Sequence, residues 1–290
     1  MIISVASGKG GTGKTTVATN LAFSLGASEG SHLPKTNDGV QFLDCDVEEP
    51  NAYLFLNPKI SKTESVGIFF PVVDEEKCNY CGKCAEVCAY NAIAVVKDKV
   101  LIFPELCHGC GGCSLLCPQK AISEANKPIG VIEQGKAKQI EFAHGILNIG
   151  EALHTPVVRA VKKKINNSKT VIIDVAPGTS CPVIEAVKDT NFCILVTEPT
   201  PFGLNDLILA VGMLKKIEVP FGVIVNRADV GDKKVEKYCK REKIPILMRI
   251  PMDREIAVAY SNGIPFILWK KEWKQRFKDL YYQIEKFNHR

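Results

Sequence analysis

Twelve cysteines lie in this 290-residue chain, and eight of them fall between Cys78 and Cys117. They form two copies of one spacing, Cys-x2-Cys-x2-Cys-x3-Cys: CNYCGKCAEVCAYNAI from Cys78 and CHGCGGCSLLCPQKAI from Cys107. Three closely spaced cysteines can wrap one face of a cubane [4Fe–4S] cluster, while the fourth of each run ligates the other cluster. The spacing predicts one cluster on Cys78, Cys81, Cys84 and Cys117 and a second on Cys88, Cys107, Cys110 and Cys113. Structural zinc is the competing chemistry, but zinc sites use two separated cysteine pairs rather than tight triplets. Paired clusters suit an electron relay; clusters that only staple a small domain stay open as an alternative. Cys117 is followed by Pro118 and Cys88 by Ala89, so the two sites differ by one backbone N–H.

The second chemical signal is at the start. Gly8-Lys9-Gly10-Gly11-Thr12-Gly13-Lys14-Thr15, followed by Thr16, fits G-x-x-x-x-G-K-[ST]. Such glycines let backbone N–H groups curl around phosphate oxygens. Lys14 is expected to neutralise the β/γ oxygens, with the Thr15 hydroxyl on Mg²⁺. The next helix adds its positive end. A phosphate loop needs one lysine, and this one has a second at Lys9.

Elements must position these groups. Ile2–Ser7 reads as a buried strand, and Lys14–Leu25 has helical spacing through Val17, Leu21 and Leu25. Ala27–Asp38 reads as a loop, and Val40–Leu43 as a strand ending at Asp44-Cys45-Asp46. Further apolar runs follow at Thr170–Val175, Phe192–Thr197, Phe221–Asn226 and, more weakly, Ile246–Ile250. Helical stretches at Pro182–Lys188, Leu204–Lys216 and Lys233–Lys240 lie beside them. Apolar strands alternating with helices imply an α/β fold, a doubly wound, mainly parallel sheet covered on both faces. Between Asp74 and Asn126 that rhythm stops. The expected organisation is a discontinuous nucleotide-binding domain, 1–72 and 128–290, with a small α+β cysteine domain inserted at 73–127. Ile129–Glu133 and Gln139–Ala143 are expected to form a hairpin around Gly135.

Gly-Lys-Gly-Gly-x-Gly-Lys-Thr resembles the deviant phosphate loop of the MinD, ParA, Mrp and nitrogenase iron protein group. The resemblance covers nearly the whole chain, and the cysteine segment resembles bacterial ferredoxin. It implies a P-loop ATPase in which Lys9 reaches the partner's phosphates across a nucleotide-sandwich dimer. It makes Lys9, Lys14 and Asp46 catalytic, with Asp46 orienting the attacking water and Asp44 supporting it. It groups Thr15, Asp46 and Asp174 around Mg²⁺, and gives the Gly178 N–H a γ-phosphate sensing role in Asp174-Val-Ala-Pro-Gly178. Asn226 with Pro251-Met252-Asp253 resembles that group's adenine site, which favours ATP, although Asn226-Arg227-Ala228-Asp229 also resembles the guanine motif N-K-x-D. Cys181 stands where the nitrogenase iron protein has a cluster cysteine and is a candidate interface metal ligand. The iron protein's second cysteine has no counterpart, and the terminal Cys-x2-Cys of Mrp-type carriers is missing.

The parts together resemble MinD-superfamily ATPases with an inserted ferredoxin domain. The implied function is ATP-gated electron transfer to, or assembly of, a metallocluster on a partner protein. The ATPase would pair with a second copy or a paralogue. A MinD/ParA-like positioning ATPase and a cobyrinic-acid-synthase-like ligase or reductase are the alternatives. The net charge of +5 is too small to argue for nucleic acid. No leader segment and no membrane-length apolar run is read, so a cytoplasmic location is expected. Trp269, Trp273, Phe277, Leu280, Ile284 and Phe287 share a helical face expected to dock on the chain's own core rather than on a membrane. Cys45, Cys193 and Cys239 are expected to be packing residues.

Overall fold

A computed structural model describes residues 1–26 and 39–288; the predicted Ala27–Asp38 loop lies outside the described residues. In chain order the elements are β1 (Ile2–Ala6), α1 (Lys14–Gly26), β2 (Val40–Asp44), α2 (Tyr53–Leu56), β3 (Lys59–Val73), α3 (Lys83–Glu86), β4 (Ile93–Val96), β5 (Lys99–Ile102), α4 (Gly112–Leu115), β6 (Ile122–Ala137) and β7 (Ile140–Leu147). They continue with α5 (His154–Lys162), β8 (Thr170–Asp174), α6 (Cys181–Val187), β9 (Phe192–Thr197), α7 (Pro201–Lys216), β10 (Phe221–Asn226), α8 (Lys234–Arg241), β11 (Ile246–Ile250), α9 (Arg254–Ser261) and α10 (Lys271–Asn288).

Nine strands form one sheet in the order β11-β10-β9-β1-β8-β2-β7-β6-β3. The strands from β11 to β7 are parallel; β6 and β3 join antiparallel at the edge. One face carries α5, α6, α7 and α8 through residues such as Val157, Val183, Leu207 and Val235. The other carries α1, α2, α9 and α10 through Leu21, Leu56, Ala259 and Phe277. Burial on both faces explains why the parallel strands are continuous apolar runs. The last helix docks on the core as expected, with Trp273, Phe277, Leu280, Tyr281 and Ile284 buried. It begins only at Lys271, so Trp269 lies outside it and remains half exposed, and Phe287 is also exposed. Among the described residues no helix is long and apolar enough to cross a membrane.

The edge differs from the sequence expectation. The hairpin turns at Lys138-Gln139, where Lys138 has φ 55°, and not at Gly135. Gly135 is instead inside β6, where an added Cβ would sit 2.2 Å from the Lys59 carbonyl oxygen. Close backbone approach, not a turn, demands this glycine. β3 is a 15-residue strand missing from the sequence reading, and it pairs with β6 along a ribbon from Lys59–Lys136 to Val73–Ile122. The ribbon runs across both expected domain limits. Only its inner part, Gly130–Ala137, also pairs with β7. The pairing register shifts between Val66 and Gly67, where the third strand ends. A bulge there bends and twists the ribbon as it leaves the sheet. At its far end sit the antiparallel pair β4–β5 and the short helices α3 and α4.

Candidate functional site

β1 delivers the glycine loop to the end of α1, as strand–loop–helix order requires. Gly11 and Gly13 have φ of 77° and 96°, a region that suits glycine. Gly8 has a different role: a Cβ there would lie 2.2 Å from the Asp206 carbonyl oxygen on α7, so its lack of a side chain seats the loop against the fold. A cavity opens beside the loop. Gly11, Gly13, Lys14, Thr15 and Thr16 line one end, and Asn226, Pro251, Met252, Asp253 and Tyr260 the other. Gly8, Lys9, Gly10, Thr12, Asp46, Asp174 and Gly178 are not among its walls. Asn226 clamps the loop by donating from Nδ2 to the Thr12 carbonyl at 2.9 Å. Asp253 caps α9 through the Glu255 N–H and is gripped by Lys270, which holds its carboxyl below the usual range. Arg227, read from sequence only as part of the N-K-x-D-like stretch, lines the cavity too, and so do Asn51 and Tyr260, which were missed. Those two arrive from a loop and from α9, and no local motif marks them.

Asp229 does not line this cavity. Its carboxylate accepts the Met252 N–H at 2.6 Å and fixes the loop that carries Pro251 and Asp253.

Register across the sheet brings two of the candidate acids together: Asp44 pairs with Asp174 between β2 and β8. Asp174 is buried, and neither of its oxygens has a hydrogen-bond partner. Burial pushes its carboxyl up to about 6; the Lys14 charge pulls the other way, and Thr15 adjoins it. An orphaned buried carboxylate beside a threonine fits a Mg²⁺ ion bound with phosphate. Asp44 is also pushed up, by burial and by Asp174. Its two oxygens accept the N–H groups of Asp46 and Ala52, both at 3.0 Å, and so shape the segment after β2. Burial raises Asp46, again against the pull of Lys14. Gly178 has φ 101°, and its N–H donates to the Ser7 carbonyl at 2.9 Å. Any contact between that N–H and phosphate requires this bond to break.

Lys9 points elsewhere. Its ammonium lies 3.7 Å from Glu198, whose other oxygen holds Arg227 at 2.8 Å. Glu198 is nearly buried, and sequence reading gave it no role.

The eight clustered cysteines divide into two cavities at the end of the ribbon. Cys78, Cys81, Cys84 and Cys117 line one, and Cys88, Cys107, Cys110 and Cys113 line the other. The two repeats superpose in conformation with a constant offset along the chain. Tyr80 and Gly109, Gly82 and Gly111, and Asn91 and Lys120 all have positive φ. Cys88 Sγ accepts the Ala92 N–H and Cys117 Sγ the Ala121 N–H, each at 3.3 Å. Burial pushes up the matched thiols of Cys84 and Cys113. Among the described residues no three His, Cys, Asp or Glu side chains converge to hold a single metal ion. The rims differ: Tyr90 stacks on His108 at 3.7 Å over the second cavity, where the first has Gln119 and Asn79. Cys181 is exposed at the start of α6, while Cys45, Cys193 and Cys239 are buried.

Fold and glycine-loop cavity define a P-loop nucleotide-binding protein. A family model for the CobQ/CobB/MinD/ParA nucleotide binding domain matches residues 3–266, and the chain belongs to that family. An uncharacterized protein of Methanocaldococcus jannaschii is 31% identical over 271 residues, 92% of this chain and 91% of its own. An iron-sulfur cluster carrier protein of Pyrococcus abyssi is 26% identical over 287 residues, 92% of this chain and 79% of its own. Among solved structures, the septum site-determining protein MinD complexed with Mg-ADP from Pyrococcus horikoshii aligns with a TM-score of 0.60. The identity is 21%, over 99% of this chain and 96% of that one, so the likeness is one of fold.

Proposed function

We propose that this chain is an ATPase whose nucleotide state governs two [4Fe–4S] clusters that serve a partner protein by electron transfer or metallocluster assembly. The observation that carries the reading is the division of eight cysteines into two four-sulfur cavities, on a ribbon that joins the sheet at β7, one strand away from β2 and its Asp44. When bound, the clusters supply one-electron chemistry. The chain's own residues hold and present them: the two sets of cysteines fix them, and the two-stranded ribbon carries them away from the ATPase core. The family and its iron-sulfur carrier relatives support this combination.

At the loop end of the nucleotide cavity Lys14 would neutralise phosphate, and Thr15, with Asp174 and Asp46 behind it, would hold Mg²⁺. Asp46 orients the attacking water, held by Asp44 through its backbone N–H. Asn226, Pro251 and Asp253 bound the base, and their resemblance to an adenine site favours ATP. Closure on a second copy or a paralogue requires Lys9 to leave Glu198 for the partner's phosphates. Glu198→Gln should therefore tighten ATP-dependent dimerisation, and Lys9→Ala should abolish it, read by analytical ultracentrifugation with a non-hydrolysable analogue. Wild-type association strength in Lys9→Ala would remove Lys9 from the mechanism.

The primary test is anaerobic purification. Two four-iron clusters predict about eight iron and eight sulfide per chain. Zinc without sulfide would overturn the reading. A cluster potential or electron paramagnetic resonance signal that shifts with ATP supports gating. Iron without any nucleotide response leaves clusters that staple a lobe.

A further inference from the structure

Asp44, His144 and Glu133 occupy one row across the sheet. Asp44 pairs with His144 between β2 and β7, and His144 with Glu133 between β7 and β6. Their neighbours two residues back or one before assign them to the α1 side: Phe42 and Phe142 pack in that core, whereas Leu43, Ala143 and Ile132 pack in the other. Strand alternation then puts all three side chains on one face.

A chain of physical contacts follows this row. One Asp44 oxygen holds the Ala52 N–H. The next residue, Tyr53, opens α2 and sets its ring against His144 at 5.9 Å, edge to face. His144 is buried, and its Nε2 lies 2.9 Å from Glu133 Oε2. An ionised Glu133 only accepts, so Nε2 carries the proton and donates. The other ring nitrogen, Nδ1, is buried with no partner. A buried imidazole satisfied on one side only is unusual. His144, Glu133 and Tyr53 also line one cavity, so the ring has open space beside it. Glu133 lies in the part of β6 that is anchored to β7. The same strand continues past the bulge to Ile122, which lines the cavity of Cys78, Cys81, Cys84 and Cys117.

We propose that His144 is the positioning residue that couples the segment after β2 to the cysteine-bearing ribbon, through Tyr53 on one side and Glu133 on the other. This inference rests on the nucleotide-governed reading above. Nucleotide binding rearranges the segment that Asp44 anchors, and Tyr53 moves with it. The His144 ring then re-seats, its bond to Glu133 changes, and the ribbon turns at the Gly67 bulge. His144 and Glu133 do not line the nucleotide cavity, and neither is among the residues assigned above to phosphate, metal or base.

The test is amide hydrogen exchange of the iron-loaded protein with and without Mg²⁺ and a non-hydrolysable ATP analogue. In the wild type, exchange in residues 59–73 and 122–130 should change by at least about fivefold, the low end of ordinary coupling between sites. His144→Phe keeps the ring's bulk but cannot donate, and should erase the change while analogue affinity stays the same. His144→Gln, whose amide can reach Glu133, should restore part of it. Glu133→Met keeps the length of the side chain but removes the acceptor from the half-exposed side, and should also erase the change, which covers a poorly folding His144→Phe. A full nucleotide response in His144→Phe or Glu133→Met would overturn the coupling role. No response in the wild type would overturn the nucleotide-governed reading itself, and the coupling with it.

Discussion

The nucleotide end and the cysteine end of this molecule are built on opposite principles. Around the glycine loop, parallel strands are covered on both faces, and the charged side chains are held by a large apolar core. Between residues 74 and 121 the buried hydrophobics are few: Ala92, Ile93, Cys107 and Ala121. Helices α3 and α4 bury no residue at all. A scaffold this small gains little from burial. On the proposed iron-sulfur reading, metal ligation takes the place of a core there, so one end would fold without its ligand and the other would depend on it.

The largest expected effect breaks the molecule along this line. Removing iron by chelation should unfold residues 74–121, with loss of exchange protection and new protease cuts there, while the sheet stays folded. Cuts confined to other regions, or an intact lobe without iron, would contradict the contrast. The reciprocal change is Trp273→Ala. Trp273 is buried against Phe266 at 5.6 Å and near Phe277 in the α10 core. Its loss should cost about 3–5 kcal/mol in the unfolding free energy of the ATPase core. Iron content should not change, and urea unfolding followed with an iron assay reads both.

A smaller effect sharpens the electrostatic side. Asp174 is raised to about 6 from 3.8, so the folded apo chain binds a proton between those values that the unfolded chain releases. Its contribution is fully favourable below about pH 4 and is lost as pH rises through 6. By linkage the loss is roughly 3 kcal/mol at neutral pH. Asp174→Asn should therefore stabilise the apo protein more at pH 7 than at pH 5, and it should weaken Mg²⁺-dependent nucleotide binding. Equal stabilisation at both pH values would show that Asp174 does not titrate in this window.

Parts of this were legible in sequence for a local reason. The glycine loop, the cysteine triplets and the apolar strands are each encoded within a few neighbouring residues. β9 and β10 match their predicted limits, Phe192–Thr197 and Phe221–Asn226. β3 was not legible: Lys59–Val73 mixes charged residues, a proline and a bulge, because an edge strand facing solvent has no need of a continuous apolar run. α9 was hidden for a similar reason, since Ala259 is its one buried residue.

What the sequence determined alone is chemistry set by covalent spacing: which backbone can wrap a phosphate, and which sulfurs form triplets. Only the tertiary structure decided what lies opposite what. Asp44 meets Asp174, His144 meets Glu133, and Lys9 rests on Glu198. Strand register and chain crossing join residues far apart along the chain, and no local pattern records those distances.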